Sequence, residues 1–434
     1  MNISIIRGEV VKYHFIGIKG SGMSALAIIL KDLGHEVSGS DYSSYIFTQE
    51  DLINKGIEVK AFDVDSLDDV DVVIVGHNFI DSDNVEVKES LKRGLVMVEY
   101  HKAVANLLKS YYSIAIAGSA GKTTVTALIA SVLKEIDDTS YLIGCGEGRG
   151  GNGKYFVFEA CEHKEHFLIY TPNIVLVNNV DYDHVDYYKN ESSYIKAFYK
   201  FINQAQNIVI VNGDDENLAK VNNVTTYGTS DKCMIRAKNI SYDNGIRYDL
   251  FYKNNYITDI NLEMYGEHMV YNTLACISVC LSLGVNMESI KNGLKKFNGV
   301  KRRFKETIIN GDVYIDDYAH HPSKINAIIN AVKQKYKDRE IIAFFRPDRV
   351  SRLNYFAFDF VSSLKRANEF YVVPFLNNTD EEIDSYNKFI QEYNLEELNE
   401  NVYSRVSKKK NVIYLMMSSK NMEEVKEKIL KYKG

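Results

Sequence analysis

The sequence predicts an α/β protein of three domains built on parallel sheets, and three observations carry that prediction. First, short apolar, β-rich runs alternate with helical patterns over most of the 434 residues. These runs are VKYHFIGI (11–18), DVVIVG (71–76), YSIAIAG (112–118), KYFVFEA (154–160), NIVLVNNV (173–180) and NIVIVNG (207–213), then VYIDD (313–317), EIIAFFRP (340–347), EFYVVP (369–374) and NVIYLM (411–416). Strands that are apolar throughout and separated by helices belong to parallel sheets covered on both faces. Second, the stretch 225–262 has another character: TTYG, IRAKNI and GIRYDLFYKNNYITDINLEM look like short hairpin strands, and a helix with apolar residues at helical spacing follows from Val270 to Leu283. Third, a fresh strand–loop–helix unit begins at YSIAIAG, and another αβ series follows a short loop near FNGVKRRF (297–304). The expected domains are 1–108, 109–298 and 299–434, sizes in line with about 100–200 residues per domain.

Composition excludes several classes. Hydrophobic residues make up 45% and charged residues 25% of the chain, enough for a large core and incompatible with wholesale disorder. With 58 acidic against 52 basic side chains the formal net charge is -6, which argues against a nucleic-acid coat or a polybasic membrane anchor. The five cysteines are odd in number, scattered and without CxxC spacing, so neither a disulfide framework nor a zinc ribbon is indicated. Cys276 and Cys280, four apart in an apolar helical pattern, read as core residues. The N-terminal MNISIIRGEVVKYHFIGI lacks a signal peptide's charged and cleavage regions. No apolar run approaches the ~18 residues of a membrane helix. The expectation is a soluble cytoplasmic protein acting on small molecules, without nucleic acid or membrane, as a monomer or weak dimer.

Four motifs carry chemistry. GIKGSG (17–22) lies between a strand and a helix expected over Met23–Leu33. Glycines there let a backbone approach a pyrophosphate at the helix N-terminus, and Asp41, at the end of the next short strand, stands where a nucleotide-binding fold places a ribose-reading acid. The spacing is GxxGxG rather than GxGxxG, so a dinucleotide site and a plain tight turn both stay open. GSAGKTT (118–124) follows an apolar strand and opens a helix. Ile116 replaces the first glycine of the longer phosphate loop, leaving the shorter GxxGKT form. Its backbone N–H groups wrap phosphates, Lys122 reaches the β/γ oxygens as a charge on a solvated loop, and Thr123 can hold Mg²⁺. Glu159 closes the next strand run and NNVDYDHVD (178–186) the one after, so a carboxylate and an imidazole could hold metal ions around a transferring phosphate. His163 and His166 in CEHKEH read as solvated surface. Finally KRRF (301–304), DDYAHHP (316–322) and RPDRVSR (346–352) bring arginines and histidines to strand and domain junctions, suited to forked recognition of phosphate or carboxylate.

Taken in order, these residues resemble the Mur ligases, the ATP-dependent amide ligases of peptidoglycan precursor synthesis. The resemblance runs collinearly from about Tyr13 to about Arg352 through FIGIKGSGMS, GHEVSGSD, GxxGKTT, FEACE, DYDHVDYY, YGEHMVYN, VKRRF and DDYAHHP. It implies a Rossmann-like UDP-sugar domain, a central phosphate-loop ATPase-type domain with a small β-hairpin region, and a Rossmann-like C-terminal domain. The cofactors implied are ATP and Mg²⁺. Gly17, Gly20, Ser21, Gly22, Met23, Ser40 and Asp41 would hold the UDP-sugar. Gly118, Ser119, Ala120, Gly121, Lys122, Thr123 and Thr124 would hold ATP phosphates, with His268 and Asn272 on the adenine side and Arg303 and Asp317 from the C-terminal domain. Thr123, Glu159 and His184 match the metal positions, and Lys122, Glu159, His184 and Arg303 the catalytic ones. His320, His321, Asp348, Arg349 and Arg352 match positions around the incoming amino acid, where Arg349 and Arg352, three apart, would grip one carboxylate from one helix face.

The implied reaction joins L-alanine to UDP-N-acetylmuramate. Four positions depart from the pattern. Ala120 stands where the loop usually has His, Asp348 where His is usual, Met269 where Asn is usual, and MMSSKNM (416–422) replaces a glycine-rich stretch. A paralogue using another amino acid or acid substrate and a non-catalytic nucleotide-binding homologue are the alternatives. An NAD-dependent oxidoreductase rests on the first glycine loop alone, and has no use for Lys122 and Thr123.

Overall fold

The computed structural model describes residues 10–433. They fall into two compact units. One comprises the chain up to Val180 with Ile195–Arg236 and Asn272–Phe297; the other comprises Asp181–Tyr194, Ala237–Tyr271 and the chain from Asn298 onward.

The first unit holds two sheets. The N-terminal sheet has five parallel strands in the order Glu58–Lys60, Glu36–Ser40, Lys12–Ile16, Val72–Val75 and Val96–Glu99. Chain order reverses between Lys12–Ile16 and Val72–Val75, the kind of switch point where a doubly wound sheet opens a crevice at its strand C-termini. The glycine loop leaves Lys12–Ile16 at that edge. Phe15, Ile16, Val73 and Ile74 are fully or almost fully buried, as strands with helices on both faces require. In the following helix, Ser21–Asp32, Leu26, Ile29 and Leu30 are buried.

The second sheet runs, within this unit, in the order Thr225–Gly228, Ile208–Asn212, Ile174–Val177, Tyr112–Ala117, Tyr155–Glu159, Ser140–Leu142 and Gly148–Arg149. Only the last pair is antiparallel. TTYG, expected in a hairpin, is instead a parallel strand, with Ile210 opposite Thr225, because its direction is set by the neighbouring strand Ile208–Asn212; its Tyr227 is fully buried. Strand Ile235–Ser241 starts on that sheet with Tyr227 opposite Ile235.

In the second unit Ile246–Tyr252 and Asn255–Leu262 do form the expected hairpin. Its two-residue turn, Lys253-Asn254, has positive φ at both positions (46° and 67°), the pattern whose twist matches paired strands. The C-terminal sheet runs Lys305–Ile309, Asp312–Asp317, Ile413–Met417, Ile341–Phe345 and Glu369–Val372, antiparallel in its first pair and parallel thereafter. Its faces pack two separate cores, one around Ile315, Phe345 and Leu415, the other around Tyr314, Phe344 and Tyr414. Period-two alternation along these strands assigns side chains to the two cores. All five cysteines are thiols, and Cys276 and Cys280 are buried as expected. Among the described residues no helix is long and apolar enough to cross a membrane.

Candidate active site

The phosphate loop sits at the centre of the second sheet, between the buried strand Tyr112–Ala117 and the helix Lys122–Leu133. Gly118 (φ 139°) and Gly121 (φ 82°) give it backbone conformations that side chains resist, and a Cβ on Gly121 would strike the amides of Asn178 and Asn272. Those asparagines fasten the loop. Ser119 N donates to the Asn179 carbonyl at 3.1 Å and Ala120 N to Asn179 Oδ1 at 2.8 Å. The Ala120 carbonyl accepts from Asn178 Nδ2 at 3.0 Å and Asn179 Nδ2 at 3.1 Å. Asn178 is aligned in turn by Asn272 Oδ1 at 3.2 Å and the Tyr227 hydroxyl at 2.5 Å. All these contacts to Ala120 are to its backbone, so the missing imidazole leaves the loop built. Sequence reasoning passed over Asn178, Asn179 and Tyr227; the NN pair closing a strand beside the loop was the available signal.

Lys122 is not a solvated charge. Its side chain is 12% exposed, and Nζ donates to the Gly118 carbonyl at 2.5 Å and to the two Glu162 oxygens at 3.0 and 2.8 Å. Burial by itself would lower the ammonium; the Glu162 and Glu159 carboxylates outweigh it and raise it above its ordinary value. Glu159 accepts from Thr123 Oγ1 and from Gly144 N, each at 3.0 Å, through one oxygen. A hydroxyl and a carboxylate side by side at the mouth of a phosphate loop are the hard oxygen donors that Mg²⁺ prefers, so these residues fit the ion. Thr124 lies half-buried in the first helical turn beside them.

The glycine loop is equally built. Gly17 (φ 83°) packs against Phe79, and a Cβ on Gly22 would run into the Tyr100 ring. Gly20 N donates to the Gly17 carbonyl, Ser21 opens the helix, and Met23 is buried beneath it. Asp41 is committed to the loop rather than open to a ribose: its oxygens accept from Lys19 N and Tyr42 N, both at 2.8 Å. The Ser40 hydroxyl turns inward onto Glu86, while its carbonyl accepts from Gly17 N and Ile18 N. Nor is His166 solvated surface. It stacks on His101 with ring centroids 3.9 Å apart and meets His77 edge-on at 5.0 Å. Burial, then neighbouring imidazoles, push His101 down to about 3, and burial pushes His166 down to about 4.

In the second unit, Arg349 and Arg352 do not converge on one point. Arg349 precedes the short helix Val350–Tyr355 and pairs with Asp186 at 2.7 Å. Arg352 is 3% exposed; Nε and Nη2 donate to Asp183 Oδ1 at 2.9 and 2.8 Å, and Nη1 to Asp348 Oδ1 at 2.6 Å. Ser419, from the stretch that replaces the glycines, donates to the other Asp348 oxygen at 2.9 Å. His320 Nδ1 lies 2.8 Å from the Tyr318 carbonyl and its Nε2 is 3.4 Å from Lys324 Nζ; burial and that ammonium hold it well below the ordinary value. His321, also lowered by burial, lies 2.8 Å from Ser323 Oγ and 3.7 Å from Asp181. His184 belongs to this unit through the segment Asp181–Tyr194, and its backbone N–H is held by Asp183 at 2.7 Å. Asp317 accepts from Phe304 N and Ala319 N at 2.8 Å; burial outweighs these and Arg303 and raises its carboxyl. Arg303 stacks on Tyr318, its guanidinium 4.7 Å from the ring centre, and burial with the Arg303 charge lowers His268 to about 4. Asn272 and His268 share one helix, yet Asn272 reaches the phosphate loop in the first unit while His268 belongs with Arg303 in the second.

A phosphate loop at the centre of a parallel sheet, with Thr123 and Glu159 at its mouth and a second glycine loop on the sheet before it, defines a phosphate-loop nucleotide-binding protein. Family models match nearly the whole length: "Mur ligase family, catalytic domain" over 12–112, "Mur ligase middle domain" over 116–280 and "Mur ligase, glutamate ligase domain" over 302–422. The chain belongs to the Mur ligase family. It is 39% identical over 424 residues to the UDP-N-acetylmuramate–L-alanine ligase of Limosilactobacillus reuteri, covering 96% of this chain and 98% of that one. To the enzyme of the same name from Levilactobacillus brevis it is 42% identical over 374 residues, 85% of this chain and 84% of that one. Among solved structures, the UDP-N-acetylmuramate-alanine ligase of Thermotoga maritima superposes with a TM-score of 0.81 at 25% identity, covering 97% of this chain and 98% of that one.

Proposed function

We infer that this chain is an ATP-dependent ligase that joins L-alanine to the carboxylate of UDP-N-acetylmuramate, the first amino-acid addition in peptidoglycan precursor synthesis. The observation that carries it is the Lys122–Thr123–Glu159 cluster on a loop already fastened by Asn178 and Asn179. A carboxylate is a poor acyl donor because its leaving group would be oxide. Transfer of the γ-phosphoryl group of ATP to it yields an acyl phosphate, whose leaving group is phosphate. The free amine of L-alanine then attacks the carbonyl carbon, and the tetrahedral intermediate expels phosphate to leave the amide.

The loop backbone from Gly118 to Thr124 cradles the phosphates, and Lys122 places its charge on the transferring group, where such sites gain most of their rate. Thr123, Glu159 and His184 are the residues assigned to Mg²⁺, which supplies charge neutralisation on the phosphates when bound. Asn272, His268, Arg303 and Asp317 are assigned to ATP, and Gly17, Gly20, Ser21, Gly22 and Met23 to the UDP-sugar. Ser40 and Asp41 act on the UDP-sugar by holding that loop in shape. His320, His321, Asp348, Arg349 and Arg352 are assigned to the amino-acid side, with 1–108, 109–298 and 299–434 as the functional division of a cytoplasmic enzyme. Phosphate release with UDP-N-acetylmuramate, ATP, Mg²⁺ and each of the twenty amino acids tests the proposal. Release is expected with L-alanine. Release with a different amino acid alone would transfer the chain to a paralogous activity, a reading favoured by Asp348, and release with none would leave a nucleotide-binding homologue.

A further inference from the structure

We propose that Glu162 is a positioning residue of the phosphate loop, parking Lys122 on the Gly118 carbonyl until the phosphates of ATP compete for it. The proposal rests on the assignment of this loop to ATP. Glu162 lies three residues beyond Glu159, just past the end of its strand, and its side chain is 1% exposed. Both its oxygens lie within 3.0 Å of Lys122 Nζ, and Gly118 O is at 2.5 Å. An ammonium has three protons to give, so these three acceptors use its whole donor capacity. Lys122 can reach a phosphate oxygen only by giving up at least one of them.

Two consequences follow from charge and burial. A carboxylate this deeply buried keeps the ammonium ionised and fixes it at the loop, so Lys122 needs no search for its place when nucleotide arrives. The same carboxylate repels the polyphosphate and competes with it for the lysine. Glu162 therefore weakens nucleotide binding while improving the geometry of the bound state, a split that a purely structural residue would not produce. Glu159 does not share this role, because its bonded oxygen is taken by Thr123 and Gly144.

The test compares the full-length chain with Glu162→Gln and Glu162→Asp, measuring ATP binding by calorimetry in EDTA and turnover with Mg²⁺. The amide of Glu162→Gln removes the competing charge and keeps the shape. ATP should bind it about tenfold more tightly, the size expected for one charge-assisted hydrogen bond. Its kcat should fall about tenfold or more while the KM for ATP falls too. Glu162→Asp keeps the charge, and its kcat should lie between the two. Should Glu162→Gln fail to fold, Glu162→Asp carries the comparison, with tighter ATP binding and lower kcat than the unmodified chain. ATP affinity within twofold of the unmodified chain, or an unchanged kcat, overturns the proposal. Failure of the unmodified chain to bind ATP would instead remove the loop assignment on which the proposal stands.

Discussion

Arg352 and Asp348, four residues apart, form a buried ion pair, 2.6 Å from Nη1 to Oδ1, at the position where a carboxylate receptor was expected. The other edge of the guanidinium is occupied by Asp183, so Arg352 is flanked by two carboxylates. Its charge is already neutralised inside the protein, and Asp348 is the group that occupies the donor an incoming carboxylate would need.

Asp348→Ala should therefore have two opposing effects. It frees Nη1 of Arg352, and the KM for L-alanine is expected to fall roughly three- to tenfold, somewhat less than a full charge-assisted hydrogen bond. It also removes a partner from a buried cation that keeps Asp183, at a cost of about 1–3 kcal/mol in stability. Steady-state kinetics and urea unfolding on the same variant read both. A rise in KM would show that Asp348 faces the amino acid's ammonium instead.

Acid should destabilise the protein in two stages. His101 and His166 have folded pKa values of about 3 and about 4, below the ordinary imidazole value of ~6.5, so protons bind the unfolded chain better. The stability they contribute is complete above pH ~6.5 and is lost as pH falls towards those folded values. Against burial, the Arg352 guanidinium between them also holds Asp183 and Asp348 low; their contribution is complete above the unfolded value of ~4 and disappears only below it. Urea midpoints measured from pH 8 to pH 3 should begin to drop near pH 6.5. His166→Gln should flatten the upper stage and leave the lower one, and equal slopes in both chains would refute the assignment.

Lys122→Ala should abolish turnover and, because Glu162 is then buried without its counter-ion, also lower stability by about 1–3 kcal/mol. The double variant Lys122→Met/Glu162→Leu should recover part of that stability without any activity. Thermal unfolding alongside phosphate release separates the two effects. A single variant as stable as the unmodified chain would mean that the ion pair contributes nothing to the fold.

Gly121→Ala is expected to remove ATP binding while UDP-N-acetylmuramate still binds. The substitution strains a residue at φ 82° and drives a methyl into Asn178 and Asn272, both parts of the network that shapes the phosphate loop. Calorimetric titration with each ligand is the measurement, and retained ATP binding would show that the loop tolerates another shape.

Much of this molecule was legible in its sequence, for an identifiable reason. A strand buried on both faces must be apolar along its length, so all ten of the runs picked from the sequence overlap strands of the structure. Strands that escaped, such as Ser140–Leu142 and Gly148–Arg149, are short or at a sheet edge, where that demand is weak. TTYG was misassigned because pairing direction is a property of the neighbouring strand, not of four residues.

The site divides in the same way. Phosphate-binding glycines, Lys122 and Thr123 are readable because their chemistry needs those residue types at that local spacing, along one strand–loop–helix turn, and Glu159 because it closes the next apolar strand run. Which charge meets which is not local. That Lys122 is clasped by Glu162, that Asp41 spends its oxygens on the glycine loop, and that Arg352 lies between Asp183, 169 residues away, and Asp348 were decided only when distant segments packed together. In the sequence a charged side chain counts as available to a ligand; in the folded chain, burial obliges it to find a partner first.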